Sequence, residues 1–224
     1  MRLNKEHNLA GTLIVVEGID GSGKSTQLSL LKDWLTSTTG DVIFTAWNSS
    51  RLISETIKSA KKKNLLSPRT FSLLHAIDFA DRLEQVIVPS LKAGFTVLAD
   101  RYVYTAFARD VARGVDKNWV RNMYGFAVKP DLTVYFRVPV EISLDRICSS
   151  RTPKFYEAGM DLELSPNVYE SYKIFQSRVI NEYDAMTDEY GFVTINGEDT
   201  IHSQQLKFRD IVTQKLNQKG IFLE

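Results

Sequence analysis

The sequence predicts an α/β domain, a five-stranded parallel sheet with helices on both faces. Three observations carry this expectation. Apolar runs alternate with stretches of helical spacing along the chain. The first run has no polar alternation, as expected of a strand buried on both faces. That run passes through a glycine-rich turn straight into a helical pattern, the arrangement of a parallel sheet's first unit.

TLIVVEG (12–18) is the first strand, and Leu28, Leu31 and Leu35 then fall on one helical face. DVIFTAW (41–47) is the second strand. Ser67-Pro68 opens a long helix to about Lys92, with serine at the cap and proline in the first turn. GFTVLAD (94–100) is the third strand and ends on Asp100. Helical stretches at 103–113 and 117–127 precede the fourth strand, LTVYFRV (132–138), and another helix covers 140–149. Residues 150–165, SRTPKFYEAGMDLELS, lack clean periodicity and hold a proline and a glycine, which predicts a mobile loop. Ser165-Pro166 starts the next helix, with Val168, Tyr172, Phe175, Val179 and Tyr183 on one face. GFVTING (191–197) is the last strand and 199–218 the last helix. Residues 1–224 thus read as one domain, with a lid at about 150–165.

Composition narrows the function classes. Hydrophobic residues make up 43% and charged residues 25%, ordinary for a globular protein. A net charge of +1 gives no strongly basic surface for a nucleic-acid polymer. The single cysteine, Cys148, has no intramolecular disulfide partner and reads as core-facing, in a reducing setting. Leu13–Val16 is too short to span a bilayer and the polar start MRLNKEHNLAG is no leader, so the expected location is cytoplasmic.

The chemistry begins at VVEGIDGSGKSTQ (15–27). Gly18, Gly23, Lys24 and Ser25 fit G-x-x-x-x-G-K-[ST], the loop whose backbone N–H groups surround nucleotide phosphates, and this specifies a P-loop NTPase fold. Glycines admit the backbone to a polyanion without Cβ clashes, and the helix N-terminus adds partial positive charge. Gly18, Ile19, Asp20, Gly21, Ser22, Gly23, Lys24, Ser25 and Thr26 form the expected ATP site. Lys24 reaches the β/γ-phosphates, the Ser25 hydroxyl binds Mg²⁺ and Thr26 is a supporting donor.

Three further features point to an acceptor cleft. Asp100-Arg101-Tyr102 closes the third strand where open parallel sheets place ligands. Asp100 suits Mg²⁺ or its waters and Arg101 a phosphate, although an ordinary surface ion pair gives the same letters. His75, Asp78, Phe79 and Arg82 lie on adjoining helical faces, with an exposed Asp78–Arg82 pair as the plainer reading. Arg151 and Lys154 sit in the 150–165 loop, where an arginine closing on the transferring group and a solvated basic loop are both open. Lys61–Lys63 reads as a solvated helix end, and His7 and His202 as residues without partners. Trp47 either lines the acceptor site from its strand end or packs half-buried.

EGIDGSGKSTQ, the helix ending FADRLEQVIVPSLKAG, and VLADRYVYTAFARD, in that order and spacing, resemble the thymidylate kinase family. The resemblance runs from about residue 12 to the last helix. It implies a P-loop parallel sheet, a homodimer formed through helices, and phosphoryl transfer from ATP–Mg²⁺ to dTMP. By the same resemblance Asp20 contacts the acceptor's 3′-hydroxyl, Arg101 its phosphate and Arg82 the thymine ring. The loop has Gly21 where some members carry arginine, which passes the role to a lid residue, Arg151, with Arg146 as runner-up.

The sequence also departs from the family pattern. TAWNSSR has Ala46 where members carry a phosphate-clamping arginine, leaving Arg51 or Arg101 to substitute. The thymine-stacking aromatic aligns with Asp78, with Phe79 as stand-in, and Arg109 and Asp110 replace an aromatic and a base-contacting residue. Asp20, Asp78, Phe79, Arg82, Arg101, Arg109 and Asp110 are therefore the candidate acceptor residues, Lys24, Asp20, Arg101 and Arg151 the catalytic ones, and Ser25 and Asp100 those for Mg²⁺. Three functions stay open at this point: a dTMP kinase, a kinase of another nucleotide or nucleoside, and a nucleotide-dependent switch. The last lacks N-K-x-D; its nearest match, Asn4-Lys5-Glu6-His7, precedes the loop.

Overall fold

A computed structural model describes residues 7–222 apart from Asp41 and Leu65. Asn4–Glu6 of the near match and Asp41 of the second strand lie outside the described residues. Five strands, β1 (Thr12–Glu17), β2 (Val42–Ala46), β3 (Thr96–Asp100), β4 (Leu132–Arg137) and β5 (Val193–Asn196), form one sheet in the order β2-β3-β1-β4-β5. Every pairing is parallel. Every residue of central β1 is buried, which is why its sequence shows no alternation.

The two faces hold separate cores. On one, Leu28, Leu31 and Leu35 of α1 (Lys24–Thr39) meet Phe208, Val212 and Leu216 of α9 (Ile201–Gln218) over Ile14, Val16 and Leu98. On the other lie α3 (Pro68–Arg82), α5 (Val103–Ala112), α6 (Lys117–Met123), α7 (Val140–Cys148) and α8 (Val168–Tyr190). They bury Phe79, Phe107, Tyr172, Phe175, Val179 and Tyr183, among others, against Leu13, Val15 and Val97.

Several expectations change. A helix not read from the sequence, α2 (Ser54–Lys62), precedes α3. The long helix from Ser67-Pro68 contains a wide π-helical turn at Leu83–Ile87 before α4 (Val88–Lys92). Pro89 lacks an N–H and its ring would crowd the carbonyl four residues back, and the wide turn relieves that conflict. Ser165-Pro166 does not itself start α8; Asn167 caps it, its side chain accepting from the N–H groups of Tyr169 and Glu170. Cys148 is exposed, because Ser143, Leu144 and Ile147 fill the inward face of α7. His7 has a neighbour after all, with Nε2 2.9 Å from Asp131 Oδ2.

Candidate active site

The carboxyl ends of β1, β2 and β3 open onto one cavity of about 400 Å³, lined by Asp20, Trp47, Lys61, Phe71, His75, Arg101, Arg109 and Tyr156 with neighbouring groups. That volume lies in the range of small-molecule sites, roughly 300–1,000 Å³.

The loop after β1 is held by its surroundings rather than by length alone. Gly21 has φ +75°, and a Cβ there would come 2.6 Å from the Ser143 carbonyl oxygen. The Ser143 hydroxyl donates to the Asp20 carbonyl at 2.6 Å, and the Tyr172 hydroxyl reaches the same oxygen at 3.2 Å. Gly23, with φ +88°, sets the start of α1, so the helix N-terminus faces the loop's concavity. Lys24 is buried, and its Nζ donates to the Ile19 carbonyl at 3.4 Å. Burial, reinforced by Arg101, draws the Lys24 ammonium down to about 8, while Asp20 and Asp100 oppose the shift. An arriving polyphosphate would favour the charged form further.

Asp20 is the electrostatic hub. One carboxylate oxygen accepts from Arg101 Nη2 at 2.6 Å, the other from Arg109 Nη1 at 2.8 Å. Burial works against its charge, but Arg109, Arg101 and Lys24 together hold its pKa far below the usual carboxylate range. Arg101 is in the left-handed region at φ +71°, uncommon for a residue with a Cβ. Its neighbour explains how the turn persists. Glu17, fully buried, accepts from the Tyr102 N–H at 2.8 Å, the Thr105 hydroxyl at 2.7 Å and the Tyr183 hydroxyl at 2.8 Å. Burial raises the Glu17 pKa despite these bonds. Sequence reasoning missed Glu17, although it adjoins the glycine motif.

The other acceptor candidates fall in different places. Asp78 is not at the cavity wall; its carboxylate accepts from the backbone N–H groups of Asn48 and Ser50 at 3.0 and 2.9 Å. It therefore pins the β2–α2 loop, and Trp47 of that loop lines the cavity. Phe79 is fully buried against Tyr102, Tyr124 and Phe126 and is no stacking platform. Arg82 is 1% exposed, donates through Nε to the Thr45 hydroxyl at 3.1 Å, and lies with its guanidinium 5.8 Å from the Trp47 ring. Asp110 faces inward, accepting from the Ser72 hydroxyl at 2.6 Å and tying α5 to α3, and burial pushes its pKa up to about 6. Arg51 is exposed and off the cavity, so Arg109 is the second arginine present where Ala46 offers none.

The 150–165 segment packs closely. Tyr156 is buried, its hydroxyl accepting from the Leu66 N–H at 3.1 Å and its carbonyl accepting from Arg113 at 2.6 Å. Arg151 is not brought to the cavity, because both its Nη atoms donate to Glu157, at 2.7 and 2.9 Å. Arg146 instead reaches the phosphate loop, donating to the Gly21 carbonyl at 3.4 Å and the Gly197 carbonyl at 2.8 Å. Lys61–Lys63 do end a helix, α2, with Lys62 and Lys63 exposed, but Lys61 and Lys62 also line the cavity. Lys61 lies 4.9 Å from the Phe71 ring centroid, and burial followed by Arg109 and Arg113 draws it down to about 7.

Asp100 and Ser25 suit a nucleotide-borne Mg²⁺. Asp100 Oδ1 is buried without a partner, and Ser25 is exposed at the start of α1. Among the described residues no cluster of three His, Cys, Asp or Glu side chains could hold a metal ion.

A glycine-rich loop between β1 and α1, facing a cationic cavity at the carboxyl ends of the strands, defines a P-loop protein. The family model described as thymidylate kinase matches residues 16–205. Among relatives, the probable thymidylate kinase 2 of Saccharolobus solfataricus is 48% identical over 93% of this chain and 99% of its own. The probable thymidylate kinase of Thermococcus onnurineus is 35% identical over 78% and 91%. The thymidylate kinase of Nitrosomonas eutropha is 36% identical over 68% and 74%. The chain belongs to the thymidylate kinase family.

Proposed function

We propose that the protein transfers the γ-phosphoryl group of ATP to dTMP, giving ADP and dTDP. A phosphate oxygen of dTMP bonds to the γ-phosphorus as its bond to the β–γ bridging oxygen breaks, and the electron pair leaves with ADP. The observation that carries this reading is the Arg101–Asp20–Arg109 cluster set beside Lys24. It puts two forked cations for a second phosphate next to the loop that holds the first.

The roles follow from position. Loop amides of residues 18–26 and Lys24 hold the donor's terminal phosphates and stabilise charge on the transferring group. Arg101 and Arg109 hold the acceptor phosphate, and Asp20 orients them and the sugar between. Arg146, against the phosphate loop, takes the donor-side arginine role expected of Arg151. Ser25 and Asp100 would hold Mg²⁺, which when bound neutralises charge across the β- and γ-phosphates. No general base is required, because the acceptor phosphate is already a nucleophile at neutral pH.

Leu73 and Ile77, one turn apart on α3, are apolar and exposed, which supports association of two copies through helices. No helix among the described residues is long and apolar enough to cross a membrane. A cytoplasmic location completes the reading. ADP release from ATP–Mg²⁺ with a panel of nucleoside monophosphates tests it: dTMP should accelerate release strongly. Acceleration only by a purine monophosphate, or by none, would reject dTMP as acceptor.

A further inference from the structure

The turn that carries Asp20 and Gly21 can close in two ways, and the loop's own residues do not choose between them. The Ser22 N–H donates to the Ile19 carbonyl at 3.3 Å, which makes Ile19–Ser22 a β-turn with Asp20 and Gly21 at its centre. Gly21 has φ +75° and Asp20 has no positive φ, the pattern of a type II turn. Types I and II differ by a flip of the central peptide, here Asp20–Gly21, and glycine accepts either form.

Groups outside the loop fix that peptide. Its carbonyl, that of Asp20, lies 2.6 Å from the Ser143 hydroxyl and 3.2 Å from the Tyr172 hydroxyl, and the two hydroxyls are 2.6 Å apart. Both side chains are fully buried. Three contacts share two protons. The two short contacts use both when Tyr172 donates to Ser143 and Ser143 donates to Asp20, a chain in which each bond strengthens the next. Burial raises the Tyr172 pKa, so its proton stays in place. One turn further along α7, Arg146 donates to the Gly21 carbonyl at 3.4 Å. Helices α7 and α8 thus grip the loop by its carbonyls. A trans peptide sends its C=O and N–H to opposite sides, so the Gly21 N–H faces away from both helices.

We propose that Ser143 and Tyr172 are positioning residues that select the type II turn and so aim the Gly21 N–H at the donor's phosphates, either hydroxyl alone sufficing to hold it. The inference rests on the reading that residues 18–26 hold those phosphates, and deepens it. In the flipped turn a carbonyl oxygen would face the polyanion instead.

The test compares wild type, Ser143→Ala, Tyr172→Phe and the double variant by Kd for a non-hydrolysable ATP analogue with Mg²⁺, and by kcat with dTMP. Ser143 bonds the Asp20 oxygen without help from Tyr172, and Tyr172 already stands within reach of it. Each single variant should therefore weaken analogue binding by less than about threefold. The double variant should weaken it about tenfold or more and lower kcat by about 10²-fold, the scale of one misdirected donor on a transferring group. Its loss should exceed the product of the single losses, as expected of two groups serving one oxygen. A measurement on unmodified protein stands beside these. Without nucleotide the Gly21 amide should give one NMR resonance free of μs–ms exchange, and that resonance should move when the analogue binds. Two exchanging forms in nucleotide-free wild type overturn the proposal. So do a folded double variant with the wild-type Kd, and single losses that merely multiply to the double's. The Kd arm needs no acceptor, so it holds whichever nucleoside monophosphate is used. An analogue that binds wild type and Lys24→Ala equally removes the donor reading beneath the inference.

Discussion

Replacing Arg109 by alanine isolates the residue that distinguishes the proposed acceptor site from the expected pattern. Its Nη1 lies 2.8 Å from Asp20 Oδ2, and the two side chains are only 12% and 19% exposed, so the charges act with little screening by water. The variant leaves Asp20 to Arg101, whose Nη2 stands 2.6 Å from the other oxygen, and the loop keeps its Ser143 and Tyr172 bonds. The fold should therefore persist while the acceptor phosphate loses one forked cation. A hydrogen bond to a charged group contributes about 1.5–3 kcal/mol, which corresponds to roughly a 10- to 150-fold loss in kcat/KM for dTMP. Most of the loss should be in KM for dTMP, with KM for ATP within threefold of wild type. Arg109→Lys keeps the charge but not the fork and should fall between. Coupled assay of ADP release, with dTMP and ATP varied separately, reads all three quantities. A folded Arg109→Ala protein with unchanged KM for dTMP, or with its loss in KM for ATP, would refute the assignment.

Three further outcomes follow from the same geometry. Glu17→Ala strands the Tyr102 N–H and leaves the Thr105 and Tyr183 hydroxyls only each other, a loss of about 3 kcal/mol and hence about 6–12 °C in Tm by calorimetry. Because burial raises Glu17 above its ordinary 4.5, the folded chain holds the proton longer than the unfolded one. Its contribution thus falls as pH rises above 4.5, and Glu17→Gln should flatten that limb of stability against pH. Lys61, at about 7 without ligand, should be held charged by the acceptor dianion, so KM for dTMP should rise as pH climbs above 7. Lys61→Met should raise KM at pH 6.5 and remove that limb. Finally, Arg146→Ala should weaken ATP use at least tenfold while Arg151→Ala, already engaged by Glu157, should change it less than threefold.

The parts legible in the sequence are those whose chemistry lives in short, contiguous stretches. The turn from Gly18 to Thr26 between β1 and α1 could be read because closely spaced glycines after a buried strand permit the positive φ angles it needs. Arg101 could be placed at the cavity because it directly follows the third apolar strand. What could not be read depends on pairings far apart in the chain. Asp78 looked like a substituted stacking residue, yet it holds the backbone of Asn48 and Ser50, 30 and 28 residues earlier. Phe79 and Asp110 share helices with site residues, but both side chains are fully buried in the core. Lys61 belonged to a run of lysines that resembles any solvated helix end, and only the packing of α2 near Phe71 brings it to the cavity. Arg151 and Arg146 differ by five positions, and the choice between them turned on Glu157, whose partnership no local pattern announces.

Transfer of label from [γ-³²P]ATP, with Mg²⁺ and dTMP, puts the whole account to one measurement. The radioactivity should appear in dTDP in equal amount to the ADP formed, and Lys24→Ala should slow that appearance by about 10²–10³-fold. Label released only as orthophosphate, or left in ATP while dTMP is bound, would contradict the claim that this cavity presents one phosphate to another.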